Sequence, residues 1–136
     1  KIIFTTVTFL FFASLMSCSN SDDNASLEGK WEYSKEGYAE NGQEFLEDYE
    51  HENGCTKDYT IITANSIIDH NFYDSTCIEE IFSTPYTRNG NTITISVEGE
   101  TFSSQIKKLD SNTLKIYSTD PDFPDEAEVT VFKRVN

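Results

Sequence analysis

Thr92-Ile93-Thr94-Ile95-Ser96-Val97 is the stretch of sequence that decides the fold. Its apolar residues alternate strictly with hydroxyl residues, which is the pattern of a strand with one face in a core and the other in water. Arg88-Asn89-Gly90-Asn91 comes shortly before it, and Asn and Gly tolerate the positive φ angles that a tight hairpin turn requires. The stretch therefore predicts the second strand of a β-hairpin.

The same kind of pattern recurs along the chain from Gly29 onward and predicts eight short strands separated by turn signals. A long polar connection, residues 36–57, follows the first strand, and residues 44–49 within it are compatible with a short helical turn. No segment has a long helical period. The predicted strands are residues 30–35, 58–63, 66–73, 78–86, 92–97, 101–109, 113–118 and 127–135.

Eight antiparallel strands in sequence order predict an all-β fold, a small eight-stranded up-and-down barrel, because closure removes unpaired strand edges. A β-sandwich is the main alternative. The barrel would bring Cys55 and Cys77 to one end, since each precedes one of two alternate strands. Closure would also place the first strand beside the last, with Arg134 able to stack on Trp31 in a cation–π contact.

The first 18 residues carry a separate signal. Lys1 precedes an apolar run that reaches Ala13, the length of the apolar region of a secretory signal peptide and too short for a membrane span, which needs about 20 residues. Leu15-Met16-Ser17-Cys18 resembles the lipobox of bacterial lipoprotein precursors. The resemblance implies a thioether-linked diacylglycerol on Cys18, cleavage before it and acylation of its amino group, for example with palmitate. An ordinary signal peptide that contains a Cys is the alternative.

The predicted organisation is therefore a signal peptide over residues 1–17, a lipidated Cys with a flexible polar tether over 18–26, and a barrel domain over 27–136. The acidic pair Asp22-Asp23 resembles the export tag of surface-exposed lipoproteins of some Gram-negative bacteria. We expect an outer-membrane lipoprotein, and the sequence leaves open whether it faces the periplasm or the cell surface.

Two cysteines remain after Cys18, and in an exported protein an even pair predicts a disulfide, here between Cys55 and Cys77. Closing a loop of this length should stabilise the fold by roughly 3 kcal/mol. Neither cysteine has a His or a further Cys at metal-ligand spacing, so we expect no metal site there.

The charge balance limits the partners. Twenty-four acidic residues against ten basic ones give a formal net charge of -14, which repels nucleic-acid phosphates and argues against nucleic-acid binding. Two acidic clusters should meet at the open end of the barrel, around residues 44–52 and 120–128. They could form a solvated rim, hold Ca²⁺ or attract a cationic ligand or partner.

No segment has a nucleophile motif or a Gly-rich phosphate loop, and neither His51 nor His70 has a partner at catalytic spacing. We therefore expect no catalytic residues, no cofactor and no enzyme activity, and a monomeric protein.

Leu27-Glu28-Gly29-Lys30-Trp31 resembles the Gly-x-Trp signature of lipocalins, and residues 27–135 resemble the lipocalin-like lipoproteins of Gram-negative bacteria. The shared features are this opening, the cysteine pair, the Gly90–Ile95 hairpin and the basic end of the last strand, Phe132-Lys133-Arg134. The resemblance implies a small barrel with a ligand cavity.

Strand alternation predicts the side chains that point into the barrel, as core or as cavity wall. Ser104 is the polar exception among them and indicates a small wet pocket. The interior supports two functions: binding of a small apolar or amphipathic molecule, or a solid barrel that contacts a protein or glycan through its acidic loops. The predicted inward residues are Trp31, Tyr33, Ile93, Ile95, Val97, Phe102, Ser104, Ile106, Leu114 and Ile116.

Overall fold

The computed structural model describes residues 25–120 and 122–136, and this part of the chain is all-β. Within it, no helix has the length and hydropathy that a membrane crossing requires. The predicted signal peptide, Cys18 and residues 19–24 of the predicted tether lie outside the described residues. The nine strands are β1 (Gly29–Glu40), β2 (Gln43–Asp48), β3 (Tyr59–Ile62), β4 (Ser66–Tyr73), β5 (Ile78–Asn89), β6 (Thr92–Val97), β7 (Glu100–Leu109), β8 (Thr113–Thr119) and β9 (Glu126–Val135).

Eight of these strands form a closed antiparallel ring in which sequence neighbours pair. Strand β1 pairs with β3, each later strand pairs with the next, and β9 returns to pair with β1 from Lys30↔Val135 to Glu40↔Glu126. The all-β, eight-stranded up-and-down barrel that the sequence predicts is confirmed.

The two ends of the ring differ. We call the end that contains the start of β1 and the turns at 63–65, 90–91 and 110–112 the floor. We call the opposite end, with the turns at 41–42, 74–77 and 98–99 and the β8–β9 connection, the open end. The buried core lies in the floor half and consists of Leu27, Trp31, Ile62, Tyr86, Ile93, Ile106, Leu109, Leu114 and Phe132.

Trp31 closes the floor. Its side chain is fully buried, and its Nε1 donates a hydrogen bond to the Leu27 carbonyl at 2.8 Å. The guanidinium of Arg134 lies over the indole, 4.0 Å from the ring centroid, and donates hydrogen bonds to the carbonyls of Ser26 and Glu28. The predicted contact between Arg134 and Trp31 is confirmed.

The predicted disulfide is also present: Cys55 and Cys77 are bonded, with Cα atoms 5.4 Å apart. It ties the loop between β2 and β3 to the turn between β4 and β5. His51 holds the same loop to the barrel, because its Nε2 donates to the Tyr33 carbonyl and its Nδ1 accepts from the Asp58 amide, at 2.9 and 3.0 Å.

The connection after the first strand differs from the prediction. Strand β1 continues to Glu40, and residues 43–48 form β2 and pair with it, so the predicted helical turn at 44–49 is wrong. Asn41 and Gly42 make the two-residue turn, with φ of 50° and 79°. Asn-Gly is a strong hairpin signal, and six paired residues per strand stabilise this arrangement over an isolated helical turn, which is marginal in water.

The β1–β2 hairpin bends at Gly37, and its outward-facing Glu44 reaches the outer face of the barrel. A Cβ on Gly37 would overlap the backbone carbonyl of Phe45, so only glycine permits this approach. The Glu44 carboxylate accepts hydrogen bonds from the Lys115 ammonium, at 2.7 Å to its nearer oxygen, and from the Tyr117 hydroxyl on β8. Val129, the register partner of Gly37, is consequently fully buried on the outer face.

Candidate ligand-binding cavity

Above the packed core, the open end of the barrel contains a cavity of about 770 Å³. Its wall is made by β1, β2 and the four strands β6 to β9, with Phe123 of the β8–β9 connection at its mouth. A cavity of this size lies within the range of about 300–1,000 Å³ that is typical of sites for small organic ligands. The cavity therefore lies above the floor core, on the side of the barrel formed by β1, β2 and β6 to β9.

One part of the cavity wall is apolar. Ile95 and Phe102 are directly opposite each other on β6 and β7, and Tyr38 and Phe123 add two further aromatic rings. Phe102 is 45% exposed, Tyr38 49% and Phe123 63%. Solvated aromatic surface of this kind is available to an apolar ligand, since its burial would be favourable.

The β4–β5 hairpin brings further apolar side chains to the open end. The carboxylate of Asp69 accepts a hydrogen bond from Tyr33 in the interior, so Asp69 faces inward on β4. Phe82 is the register partner of Asp69 and therefore lies on the inward face of β5. Phe82 is 51% exposed. Strand β5 pairs with β6 only over Tyr86–Asn89, and the upper part of β5 therefore extends past this ladder beside the opening.

A second part of the wall is acidic, and it consists of Glu36, Glu47, Asp120, Glu126 and Glu128. None of these side chains forms a salt bridge within residues 25–120 and 122–136. In the same part of the chain, no Lys or Arg lines the cavity. The wall is therefore a one-sided field of carboxylates beside aromatic rings.

Hydroxyl groups mark the boundary between core and cavity. Ser104 and Ser118 are directly opposite on β7 and β8, and their Oγ atoms lie within hydrogen-bond distance, 2.9 Å apart. The next inward residues toward the floor, Ile106 and Ile116, already belong to or pack against the core. Ser104, the polar residue among the predicted inward side chains, thus lies at the bottom of the cavity.

Polar groups beside the cavity form a satisfied network. The Tyr33 hydroxyl donates to the Asp69 carboxylate at 3.0 Å, and burial together with that carboxylate raises the pKa of Tyr33 far above its usual value. Burial, followed by the Asp58 carboxylate, raises the pKa of Tyr49 to about 12. In the described residues, no buried side-chain nitrogen or oxygen lacks a hydrogen-bond partner. These tyrosines keep their protons at neutral pH and act as hydrogen-bond donors.

The carboxylates of the wall are spread over several strands. Glu36 lies on β1, Glu47 on β2, and Glu126 and Glu128 on β9. Across the described part of the chain, no group of three or more His, Cys, Asp or Glu side chains is arranged so that it could hold a metal ion.

The structure separates the predicted inward residues into three groups. Trp31, Ile93, Ile106 and Leu114 are core, and Tyr33 and Ile116 pack against it. Ile95, which also packs against the core, lines the cavity with Phe102 and Ser104. Val97 is 45% exposed and belongs to neither the core nor the cavity wall, because β6 runs past the core there.

The sequence reading did not find the contributions of Glu36 and Tyr38 to the wall, because it ended the first strand at Lys35. Glu47, Asp120 and the two glutamates of β9 were placed in acidic clusters at the open end, although not in a cavity wall. The signal that could have found Glu36 and Tyr38 is the Asn41-Gly42 turn, which requires β1 to continue up to it.

A closed antiparallel barrel with a packed floor and a cavity at its open end belongs to the class of up-and-down β-barrels. Residues 27–116 match the family model of the lipocalin-like domain. The chain belongs to this lipocalin-like family, as its opening Gly29-x-Trp31 and its single disulfide indicated.

Two solved structures are similar to the chain. An uncharacterized protein from Bacteroides eggerthii has 14% identity and a TM-score of 0.48, with 81% of this chain and 100% of that chain covered. A deswapped triple mutant of bovine odorant binding protein has 14% identity and a TM-score of 0.43, with 79% of this chain and 72% of that chain covered. No curated protein matches the sequence.

Proposed function

We propose that this protein binds a small apolar or amphipathic molecule in the cavity at the open end of its barrel, without enzymatic chemistry, while a lipid on Cys18 holds it at the outer membrane. The observation that carries the proposal is the cavity of about 770 Å³. Half-exposed aromatic side chains such as Tyr38 and Phe102 offer apolar surface there, and a ligand gains free energy by covering it.

The alternative function, contact with a protein or glycan through the acidic loops of a solid barrel, requires an interior filled by side chains. The core fills only the floor half, and the cavity lies above Ser104 and Ser118. Interior space of this kind supports ligand binding over the solid barrel.

The direction in which the chain joins the barrel supports the anchored arrangement. Strand β1 begins at Gly29 on the floor, so a tether from Cys18 would join the barrel opposite the cavity mouth. Anchoring at the floor leaves the mouth clear for a ligand. The sequence support for the anchor is Leu15-Met16-Ser17-Cys18, followed by a polar stretch.

Native mass spectrometry of the protein purified from its own cell envelope tests the ligand proposal. We expect a co-purifying small molecule that dissociates on mild denaturation. Ser104→Phe should abolish it by filling the bottom of the cavity, whereas Ser96→Phe, the same change at an exposed serine of β6 outside the cavity wall, should retain it. A ligand-free wild type that also fails to bind the uncharged apolar dye N-phenyl-1-naphthylamine would contradict the proposal.

The anchor has its own test. Cells that express the full chain should incorporate labelled palmitate into the wild type and into a Cys55→Ser/Cys77→Ser variant, but not into Cys18→Ser. Equal labelling of the wild type and Cys18→Ser, or no labelling of either, would refute lipidation at Cys18. Fractionation of the same cells should place the wild type in the outer membrane.

A further inference from the structure

Two pairs of glutamates are directly opposed at the open end, and three of these four side chains line the cavity. Glu36 of β1 is the register partner of Glu47 of β2, and Glu40 of β1 is the register partner of Glu126 of β9. Directly opposed residues of an antiparallel pair have Cβ atoms about 4.5–5.5 Å apart, and like charges there destabilise the sheet. Two like-charged pairs at one end of the barrel lower its stability, which indicates that these charges have a functional reason.

The basic side chains that could neutralise this wall are engaged elsewhere. Lys35 binds Asp48 at 2.7 Å and Lys115 binds Glu44 at 2.7 Å, both at the outer hairpin, while Arg134 covers the floor. In the part of the chain that the structure describes, no Lys or Arg bridges to a carboxylate of the cavity wall. Within the described residues, the opposed carboxylates therefore have no salt-bridge partner that would offset their repulsion.

Aromatic rings lie next to these carboxylates. Tyr38 is the register partner of Glu128, and its ring stacks on Phe45 with centroids 4.9 Å apart. Phe102 and Phe123 complete the aromatic part of the wall. A cation over an aromatic face gains about 0.5–1 kcal/mol at exposed sites and about 2 kcal/mol when it is desolvated. Carboxylates and aromatic faces both attract cations, so this part of the wall is complementary to a positively charged group.

We infer that the cavity selects an organic cation, a molecule with at least one ammonium group on an apolar body. The cavity volume of about 770 Å³ accommodates a body of drug-like size, Ile95 and Phe102 supply its apolar contact, and the glutamates of β1, β2 and β9 face its charge. This inference rests on the proposed ligand-binding function and specifies the ligand class. The same wall repels molecules with a carboxylate or phosphate head group.

Titration calorimetry with three probes of equal tail length tests the inference: octyltrimethylammonium, octyl glucoside and octanoate, each below its micellar concentration. The full chain carrying Cys18→Ser serves as unlipidated protein, since this position precedes the first strand in sequence. We expect the cation to bind at least about 10-fold more tightly than octanoate at low salt, from two or three partly exposed ion pairs. The preference should shrink with salt, because the Debye length falls from about 10 Å at 0.1 M to about 3 Å at 1 M.

Two double substitutions distinguish the effect of the wall glutamates from the effect of the net charge of the protein. Glu36→Gln/Glu47→Gln should weaken binding of the cation by about 3–10-fold, leave octyl glucoside unchanged and raise the urea midpoint, because the opposed charges are gone. Glu50→Gln/Glu52→Gln changes the net charge equally, away from the cavity wall, and should alter neither binding nor the midpoint. Lost affinity combined with gained stability is a result that a purely structural role of these glutamates would not give.

The outcomes distinguish this inference from the proposed function. Equal or tighter binding of octanoate or octyl glucoside would overturn the cation selectivity and leave the ligand cavity standing. Failure of all three probes and of N-phenyl-1-naphthylamine would overturn both. Saturable Ca²⁺ binding that the Glu36→Gln/Glu47→Gln variant loses and that displaces octyltrimethylammonium would assign the wall to a metal ion and overturn the inference.

Discussion

Replacement of Arg134 should destabilise the barrel strongly, because three groups depend on its guanidinium. The guanidinium carbon lies 4.0 Å from the centroid of the Trp31 ring, and the two Nη atoms donate to the carbonyls of Ser26 and Glu28. Removal of the side chain would uncover the buried indole and leave two carbonyls without their donor.

The magnitude follows from these contacts. The cation–π contact with Trp31 contributes about 1–2 kcal/mol, and two hydrogen bonds from a charged donor at a partly exposed site add about 1–2 kcal/mol. We therefore expect Arg134→Ala to lower the free energy of unfolding by about 2–4 kcal/mol, and Arg134→Lys by about half of this, because an ammonium cannot stack and bond two carbonyls in the same geometry. A domain of this size loses about 4–8 °C of Tm per kcal/mol.

Gly29 supplies a second test of the same geometry. A Cβ at this position would lie 2.5 Å from Arg134 Nη1, and the backbone has φ of +141°. In a chain that keeps Arg134, Gly29→Ala should therefore displace the guanidinium and also strain the backbone. In the Arg134→Ala background, Gly29→Ala should cost only the backbone strain, about 1–2 kcal/mol. The cycle of Gly29→Ala and Arg134→Ala should show a coupling of about 1 kcal/mol or more.

Urea unfolding measures these energies, and Trp31, the single tryptophan of the chain, reports on the site by its emission. Far-ultraviolet circular dichroism should give the same midpoints if unfolding is two-state. An Arg134→Ala protein within about 0.5 kcal/mol of the wild type, which is the range of ordinary surface substitutions, would refute the reasoning. Additive effects in the cycle with Gly29→Ala would refute the proposed close approach.

Three further predictions concern the disulfide, Tyr49 and the β1–β2 hairpin. Cys55→Ser/Cys77→Ser should lower the free energy of unfolding by roughly 3 kcal/mol. Urea unfolding of the variant and of the wild type, each with and without reductant, measures this. A wild type whose free energy of unfolding is the same with and without reductant would contradict the prediction. The pKa of Tyr49 is raised to about 12, so its contribution to stability is present below pH 10 and is lost as the pH rises to 12. In thermal melts between pH 10 and pH 12, the Tm of Tyr49→Phe should therefore fall less steeply than that of the wild type. Hydrogen bonds from Lys115 and Tyr117 lower the pKa of Glu44, and its contribution is therefore lost as the pH falls through the carboxyl range. Glu44→Gln should cost about 0.5–1 kcal/mol at pH 7 and little at pH 3.

Local patterns were sufficient to predict the barrel because its strands carry their own signals. The alternation in Thr92–Val97 and the adjacent Gly90-Asn91 turn define a hairpin without reference to the rest of the chain. The disulfide between Cys55 and Cys77 was predicted from the even cysteine pair of an exported chain, and strand order made it feasible. The contact of Arg134 with Trp31 followed from strand order, since an up-and-down ring fixes which strand ends meet.

Strand β2 was missed because its sequence, Gln43-Glu44-Phe45-Leu46-Glu47-Asp48, lacks alternation. Its stability comes from tertiary contacts that a local pattern does not contain. Glu44 reaches Lys115 on a strand 71 residues away in sequence, and the hairpin lies against the barrel only because Gly37 has no side chain.

The position of the cavity wall depends on a β-bulge that the sequence does not reveal. The register of β1 against β9 shifts between Tyr33 and Lys35. Trp31 and Tyr33 face the interior before this shift, and strict alternation beyond it would have turned Lys35 inward. The extra residue instead directs Glu36 and Tyr38 into the barrel, so β1 contributes a carboxylate to the wall in place of an ammonium group.

The distribution of stabilising contacts along the barrel axis supports a functional origin of the acidic wall. The floor holds the fully buried Trp31 under Arg134, while the open end leaves Tyr38 and Phe102 about half exposed and opposes Glu36 to Glu47. If the open end were merely a solvated rim, scattered charges of both signs would serve solubility without cross-strand repulsion. The packed floor stabilises the fold, whereas the exposed aromatic rings and the opposed glutamates of the open end lower its stability. A ligand that is cationic and apolar would cover the rings and neutralise the glutamates, and its binding would therefore stabilise the fold.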